Sequence, residues 1–233
     1  MRKVNLSPIG IALSGYLCVS CAASGNRDGY NRMDPLFFNG VDLAGWTEID
    51  EYWSVEEGVI VGRATEEVLR NKFLFSAVEV ENFYLSVWVK LTPDDRNSGI
   101  QFRSQKDAEA HAVGYQADIG RGWWGKLYHE LGRGRLDWHD AGESHIRPED
   151  WNHYEILAVD HRIWAAINGH ISVALRDPEG ELSGYIAFQI HSGPPQEVRF
   201  RAPELIHDPP VRLAGLSESE LDAVLRSPER AKR

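Results

Sequence analysis

Polar and apolar residues alternate with a period of two in three short stretches between residues 97 and 130, and two is the period of a β-strand. The polar positions are Gln101, Arg103, Gln116, Asp118, Lys126, Tyr128 and Glu130, and the apolar positions are Ile100, Phe102, Tyr115, Ala117, Ile119 and Leu127. Adjacent strands of one sheet would bury the apolar row and expose the polar row on the other face. The pattern therefore predicts a sheet with one face that carries amide, charged and phenol side chains.

The same alternation recurs over most of the chain. Ten β-type runs with turn residues between them are predicted at 53–61, 83–91, 98–103, 114–119, 126–130, 153–159, 162–167, 170–175, 184–191 and 198–201. Asn168-Gly169 between two of them predicts a hairpin with a type I′ turn. Ser217 and Glu220 form a capping box, so a short C-terminal helix is expected to begin there. Many strands, frequent turns and no long helical period indicate an all-β sandwich.

Composition narrows the class of partner. The chain has 233 residues, 42% of them hydrophobic, with eight Trp, eight Tyr and eight Phe, which indicates a substantial core. Its net charge is −10, and no cluster of Lys and Arg exists that could neutralise phosphates. We therefore expect no nucleic-acid partner.

The N-terminus has the layout of an export signal. Arg2 and Lys3 precede an apolar run over 9–19, which is too short to span a bilayer. The sequence around Cys21 is a degraded lipoprotein box, so lipid attachment at Cys21 and ordinary cleavage just after it both remain open. We expect a signal or lipoprotein-type segment over 1–21, a linker over 22–34, a β-sandwich over 35–207 and a tail with a short helix over 208–233. The protein is predicted to be periplasmic or a membrane-anchored lipoprotein of a bacterium.

Several other motifs have simpler interpretations than a catalytic or cofactor site. The glycines at 120, 122 and 125 match a dinucleotide fingerprint, but a β-type run follows where a helix is needed. The histidines show no metal-ligand spacing, so a divalent metal stays open and no cofactor is predicted. His191 shares a register with Gln189, which places both on the polar face if their strand joins the same sheet. Asp118 and Glu130 could form a carboxylate pair, although the E-x-D-x-x-E pattern of laminarinase-type enzymes is absent.

Aromatic planes beside planar hydrogen-bonding groups are typical of a sugar-binding surface. Trp123 and Trp124 lie in a glycine-flanked turn, so we predict that they are exposed. The other six tryptophans fall in or beside apolar runs and are predicted to be core: Trp46, Trp53, Trp88, Trp138, Trp151 and Trp164. The predicted substrate contacts are Gln101, Gln116, Trp123, Trp124, His129 and Gln189.

Several motifs occur in an order that resembles one known family. They are FNGVDLAGW at 38–46, WSVEEGVI at 53–60, NSGIQFR at 97–103, GYQADI at 114–119, WNHY at 151–154, NG at 168–169 and GYIAFQIH at 184–191. Together they resemble the 3-keto-disaccharide hydrolase domain family over about residues 36–206, in the form common in planctomycete-type bacteria. In that form an Asp usually follows the Leu-Tyr pair, and here His129 stands in its place.

The resemblance implies a concanavalin/laminin-G-like jelly-roll β-sandwich of two antiparallel sheets. It also implies hydrolysis of glycosides that carry a ketone at sugar C3, with an oxidised sugar as partner. A C3 ketone acidifies the C2 proton, so the glycosidic bond can break by β-elimination followed by water addition. In this hypothesis Asp118 or His191 is the base, Arg103 and Lys126 stabilise the enolate, and Tyr128 or Glu130 protonates the leaving group.

Two alternatives use the same scaffold without chemistry. A carbohydrate-binding module would depend on Trp123 and Trp124 but not on Asp118. A laminin-G-like adhesion domain would instead present a contiguous apolar patch to a protein.

Overall fold

Two antiparallel sheets of seven strands each form the domain. A computed structural model describes residue 34 and residues 37–228. The strands, in chain order, are β1 (Trp46–Thr47), β2 (Trp53–Glu56), β3 (Val59–Ala64), β4 (Lys72–Val80), β5 (Phe83–Thr92), β6 (Ser98–Lys106), β7 (Ala112–Ile119), β8 (Leu127–Glu130), β9 (Gly134–Asp137), β10 (Asn152–Val159), β11 (Arg162–Ile167), β12 (His170–Arg176), β13 (Gly184–Ile190) and β14 (Gln196–His207). A 3₁₀ turn (Glu143–His145) and one helix, α1 (Glu218–Ala223), complete the elements.

The strands are ordered differently from the chain. Sheet I has the order β1-β4-β13-β6-β7-β8-β9, and sheet II has the order β12-β11-β10-β5-β14-β3-β2. Strands distant in sequence become neighbours, as where β13 inserts between β4 and β6. This topology confirms the predicted all-β jelly-roll sandwich.

Each of the ten predicted runs contains strand residues. The predicted run over 53–61 is divided into β2 and β3 by a turn at Glu57 and Gly58, both of which have positive φ. Strands β1, β4 and β9 were not predicted. β1 and β9 are short, and β4 contains the apolar run FLF directly after Lys72, which lacks alternation. The hairpin at Asn168-Gly169 is confirmed, because both residues have positive φ between β11 and β12.

The main core lies between the two sheets. It contains the predicted apolar row of β6, β7 and β8, namely Ile100, Phe102, Tyr115, Ala117, Ile119 and Leu127, all buried. Phe188 of sheet I stacks on Phe200 of sheet II with ring centroids 3.8 Å apart. The polar row of these strands therefore faces away from the core, except where the alternation is broken.

The chain after the last strand folds back on the outer face of sheet II. Leu213 and Leu221 are buried there against Leu157, Trp164, Ala166 and Ala174. The predicted helix is confirmed as α1, and its capping box places the Ser217 N–H 2.8 Å from Glu220 Oε2.

The predicted signal segment, Cys21 and the linker before residue 34 lie outside the described residues. Within the part of the chain that is described, no helix is long and apolar enough to cross a membrane.

Candidate functional site

A cleft of about 480 Å³ opens on the face of sheet I that is turned away from the core. Its lining residues come from β7, β8 and β9, from the loops that follow β7 and β9, and from the positions just before β6 and just after β13: Asn97, Gln116, Asp118, Trp123, Tyr128, Glu130, Arg135, Trp138 and His191. Six of these were predicted as site residues, and strand pairing brings them together. Gln116 lies opposite Tyr128, which in turn lies opposite Arg135.

A chain of hydrogen bonds runs along the floor of the cleft to Asp118. The Ser104 hydroxyl donates to Gln101 Oε1 at 2.9 Å, and Gln101 Nε2 donates to Gln116 Oε1 at 2.5 Å. Gln116 Nε2 then donates to Asp118 Oδ1 at 2.6 Å. Each amide in this chain is oriented by the group behind it, so the Asp118 carboxyl group has a fixed donor. Gln101 is fully buried and acts through Gln116, although it was predicted to contact substrate directly.

Gly99 leaves the space that this arrangement needs. It lies opposite Asp118 in the β6–β7 pair, and the Gln116 side chain passes directly over it. A Cβ atom at position 99 would approach Gln116 Cδ to 2.6 Å, which is too close for any real contact.

Asp118 is 2% exposed, and burial raises its pKa to about 8. The hydrogen bond from Gln116 lowers that pKa, the charge of Glu130 raises it and the charge of Lys126 lowers it. The carboxyl group therefore changes its charge close to neutral pH, which is the range that suits general acid–base catalysis.

Glu130 stands at the other end of the cleft. Asn71 Nδ2 lies 3.4 Å from Glu130 Oε1, and Asn71 Oδ1 accepts the Ser192 N–H at 2.9 Å. Burial raises the pKa of Glu130, against the opposing effects of His191, Asn71 and His111. His191 lines the cleft as predicted, with Nδ1 2.6 Å from the carbonyl oxygen of Ser192.

Aromatic rings form one wall of the cleft. Trp138 makes edge contacts with Trp123 and Tyr128 at centroid distances of 5.7 and 6.0 Å. The Arg135 guanidinium lies 4.7 Å from the Trp138 ring centroid. Trp123 is 40% exposed, as predicted. The prediction that Trp138 belongs to the core is wrong.

Arg103 does not lie in the cleft, and the prediction of its position is wrong. It has a φ of 47°, and the register between β6 and β7 shifts between Phe102 and Gln105. The buried guanidinium donates to the carbonyl oxygens of Glu81 and Asp160 at 2.8 and 2.7 Å. The same bulge turns Ser104 toward Gln101 and so completes the hydrogen-bond chain.

Lys126 lies beside the cleft, and its ammonium group is bound outside the cleft. Its Nζ pairs with Asp140 Oδ1 at 2.6 Å and donates to the Gly122 carbonyl oxygen at 2.9 Å. It acts on Asp118 through its charge. The predicted role as a direct enolate donor therefore lacks a geometric basis.

Two further predicted contacts also lie elsewhere. Trp124 is 2% exposed and packs in the core near Tyr154, so the prediction of exposure is wrong. His129 is on the opposite face of β8 from Tyr128, with Nε2 3.0 Å from both carboxylate oxygens of Glu181. Neither side chain lines the cleft.

Comparison with known families agrees with the motif order. The sequence profile of the family described as the 3-keto-alpha-glucoside-1,2-lyase-like domain matches residues 34–205. The chain belongs to this family. The match covers both sheets of the sandwich and every lining residue of the cleft, and it ends before the tail that carries α1. No functionally curated protein matches the chain.

Solved structures share the fold of this family member. Two proteins of Parabacteroides distasonis ATCC 8503, each named a "putative glycosyl hydrolase", are 19% and 20% identical to it, with TM-scores of 0.60 and 0.56. The similarity covers 76% and 75% of this chain and 100% and 93% of theirs. The carbohydrate-binding module CBM66 of Bacillus subtilis is 17% identical, with a TM-score of 0.55 over 70% of this chain and 95% of its own. At these identities the similarity shows the fold alone.

Gln189 is fully buried, and neither atom of its amide group has a hydrogen-bond partner among the described residues. It lies opposite Gly99, which lies opposite Asp118, so all three occupy one row across the sheet. Buried amides are normally satisfied. Because Gln189 is enclosed and does not line the cleft, its predicted contact with substrate stays a prediction.

Sequence reasoning missed Asn97, Arg135 and Trp138. Asn97 opens the NSGIQFR motif and could have been found there, and its buried Oδ1 has no partner among described residues. Arg135 and Trp138 belong to β9 or follow it, and that strand is too short to give a periodic signal. Among the described residues no three His, Cys, Asp or Glu side chains are grouped closely enough to hold a metal ion.

Proposed function

We propose that this protein cleaves glycosides that carry a ketone at sugar C3, by removal of the C2 proton and β-elimination of the glycosidic oxygen, followed by water addition. The observation that carries the proposal is Asp118, a buried carboxyl group with a fixed amide donor at the floor of a cleft with an aromatic wall. Its raised pKa suits a base that must accept a carbon-bound proton at near-neutral pH.

The lining residues divide the proton transfers between them. The ionised Asp118 carboxylate takes the C2 proton, and the C2–H electron pair becomes the enolate π-bond while charge moves to the C3 oxygen. Arg135, a permanent cation of the cleft, and the second N–H of Gln116 stabilise that oxygen. They replace Arg103 and Lys126, whose groups are bound elsewhere.

Collapse of the enolate then breaks the bond between C1 and the glycosidic oxygen. The leaving oxygen takes a proton from Glu130 or Tyr128, which line the cleft on β8. The raised pKa of Glu130 favours the protonated form that this step needs. Water adds to C1 of the unsaturated product and restores a 3-keto sugar. His191 is the alternative base.

The aromatic wall supports a second candidate, a carbohydrate-binding module without catalysis. Trp123 and Trp138 offer ring surface to a sugar whatever its oxidation state. Such a module would bind the oxidised and unoxidised glucosides alike, and its affinity would not depend on Asp118.

One NMR experiment separates the two. Purified protein is incubated with a 3-keto-glucoside or with the parent glucoside in deuterated water, with and without chelator. We expect cleavage of the keto substrate alone, with deuterium at C2 of the product. Asp118→Asn should abolish it, and Asp95→Asn, at an exposed position, should not. Binding of both glucosides without cleavage would overturn the enzymatic proposal, and chelator sensitivity would reveal a metal.

A further inference from the structure

Trp138 is the centre of the aromatic wall. It contacts Trp123 and Tyr128, and Arg135 and Lys126 place their charged groups 4.7 and 5.4 Å from its ring centroid. Trp138 follows β9, which is the outermost strand of sheet I. An edge strand of four residues has one neighbouring strand and needs support from outside its own sheet.

That support comes from the residue directly before Trp138. The Asp137 side chain is 1% exposed. Its Oδ1 lies 2.5 Å from His139 Nδ1, and its Oδ2 accepts hydrogen bonds from the Ala174 N–H at 3.2 Å and from Arg226 Nη2 at 2.6 Å. Asp137 thereby joins the edge of sheet I to β12, the edge of sheet II.

Arg226 is itself fixed to that second edge. Its N–H donates to the Ala174 carbonyl oxygen at 2.9 Å, and its carbonyl oxygen accepts the Arg176 N–H at 2.8 Å. The preceding helix is anchored where Trp164 Nε1 donates to the Leu221 carbonyl oxygen at 3.0 Å. The tail therefore presents the guanidinium to Asp137 from a rigid backbone.

We propose that Arg226 is a positioning residue for the cleft, and that through Asp137 it holds Trp138 and Arg135 in the geometry that binds the sugar. Arg226 lies beyond the matched residues 34–205, so on this proposal a segment outside the family domain contributes to the site. The inference rests on the proposed function only in taking the cleft as the substrate site. A charge-assisted hydrogen bond to a buried carboxylate is among the stronger single contacts in a protein.

The test compares two changes in the tail. Arg226→Ala removes the contact with Asp137, and Arg226→Lys keeps a charge that can reach it. Asp222→Asn, the control, removes an ion pair to Arg162 at 3.1 Å and leaves Asp137 untouched. 5-Fluorotryptophan labelling gives ¹⁹F NMR signals for the eight tryptophans, and Trp138→Phe identifies the signal of Trp138.

We expect Arg226→Ala to shift or broaden the Trp138 signal and to raise KM about fivefold while kcat changes about twofold or less. Arg226→Lys should keep the Trp138 signal and the KM close to those of the unmodified protein, and Asp222→Asn should change neither. The KM effects of Arg226→Ala and Trp138→Phe should be non-additive if they act through one wall.

An unchanged Trp138 signal in Arg226→Ala overturns the inference, as does an equal effect of Asp222→Asn, which would mean that the tail only stabilises sheet II. If Arg226→Ala does not fold, Arg226→Gln tests the same proposal with the same readouts and the same control. Absence of turnover in the unmodified protein would refute the proposed function instead, and the ¹⁹F signals would still test the position of Trp138.

Discussion

Gln116 Nε2 donates a hydrogen bond to Asp118 Oδ1 at 2.6 Å, between two residues of the same strand and the same face. The bond stabilises the ionised carboxylate, whereas burial stabilises the protonated form. The balance leaves the pKa of Asp118 at about 8, so a modest change in either influence moves the group across neutral pH.

The pH dependence of turnover should report this balance. With Asp118 as base, kcat/KM rises as the pH approaches about 8, and a falling limb at higher pH belongs to the group that protonates the leaving oxygen. Gln116→Leu removes a donor to the ionised form, so the rising limb should move to higher pH. Steady-state rates from pH 5 to 10 measure both. A limb that does not move in Gln116→Leu would mean that another group, with His191 first, is the base.

Stability should depend on pH in the opposite sense. The pKa of Asp118 is raised above its unfolded value of 3.8, so from pH 4 to about 8 the unfolded state releases a proton that the folded state keeps. The contribution of Asp118 to the free energy of unfolding therefore falls over that window, by up to about 1.4 kcal/mol per pH unit, and is constant above it.

Asp118→Asn removes this titration. Urea unfolding at several pH values should show that the free energy of unfolding of the variant increases relative to that of the unmodified protein from pH 4 to 8. Above pH 8 the difference should stay constant. Parallel stability curves for the two proteins would contradict the raised pKa. Asp95→Asn, at an exposed position, serves as the control and should follow the unmodified protein.

Gly99→Ala should disturb the floor of the cleft without replacing a charged residue. The added methyl group would lie 2.6 Å from Gln116 Cδ, so the Gln116 side chain must move and its bond to Asp118 is lost. We expect a destabilisation of about 1–3 kcal/mol and an upward shift of the activity limb like that of Gln116→Leu. Gly169→Ala, in an open turn, would be strained by its φ but should leave the pH profile unchanged. Unaltered stability and pH profile in Gly99→Ala would contradict the arrangement described for Gln116.

Alternation predicted much of the site and failed where the backbone departs from it. The rows of β7 and β8 are as expected, so Gln116, Asp118, Tyr128 and Glu130 line one cleft. In β6 a single residue of positive φ, Arg103, reverses the order of the faces, and no feature of the sequence marks it. Tyr128 and His129 are consecutive residues of β8, so the alternation itself places His129 on the face that is turned away from the cleft.

Tertiary contacts decide the remaining positions. Consecutive residues of a turn can point in opposite directions, which is why Trp123 is exposed and Trp124 is buried. The contact of Arg226 with Asp137 joins residues 89 positions apart, at the edges of different sheets. No periodic pattern predicts a contact of that kind, because periodicity describes one strand or helix at a time.

Trp123 and Trp124 offer a final test, because one lines the cleft and the other is buried in the core. Trp124→Ala should lower the free energy of unfolding by about 3–5 kcal/mol, because a buried indole leaves a cavity in the core. Trp123→Ala should change stability by less than about 1 kcal/mol, because its ring is 40% exposed, and should weaken sugar binding through the lost ring surface. Thermal unfolding and substrate titration of both variants measure the two effects. The reverse result, with Trp124→Ala stable and weak in binding, would contradict the position of the cleft.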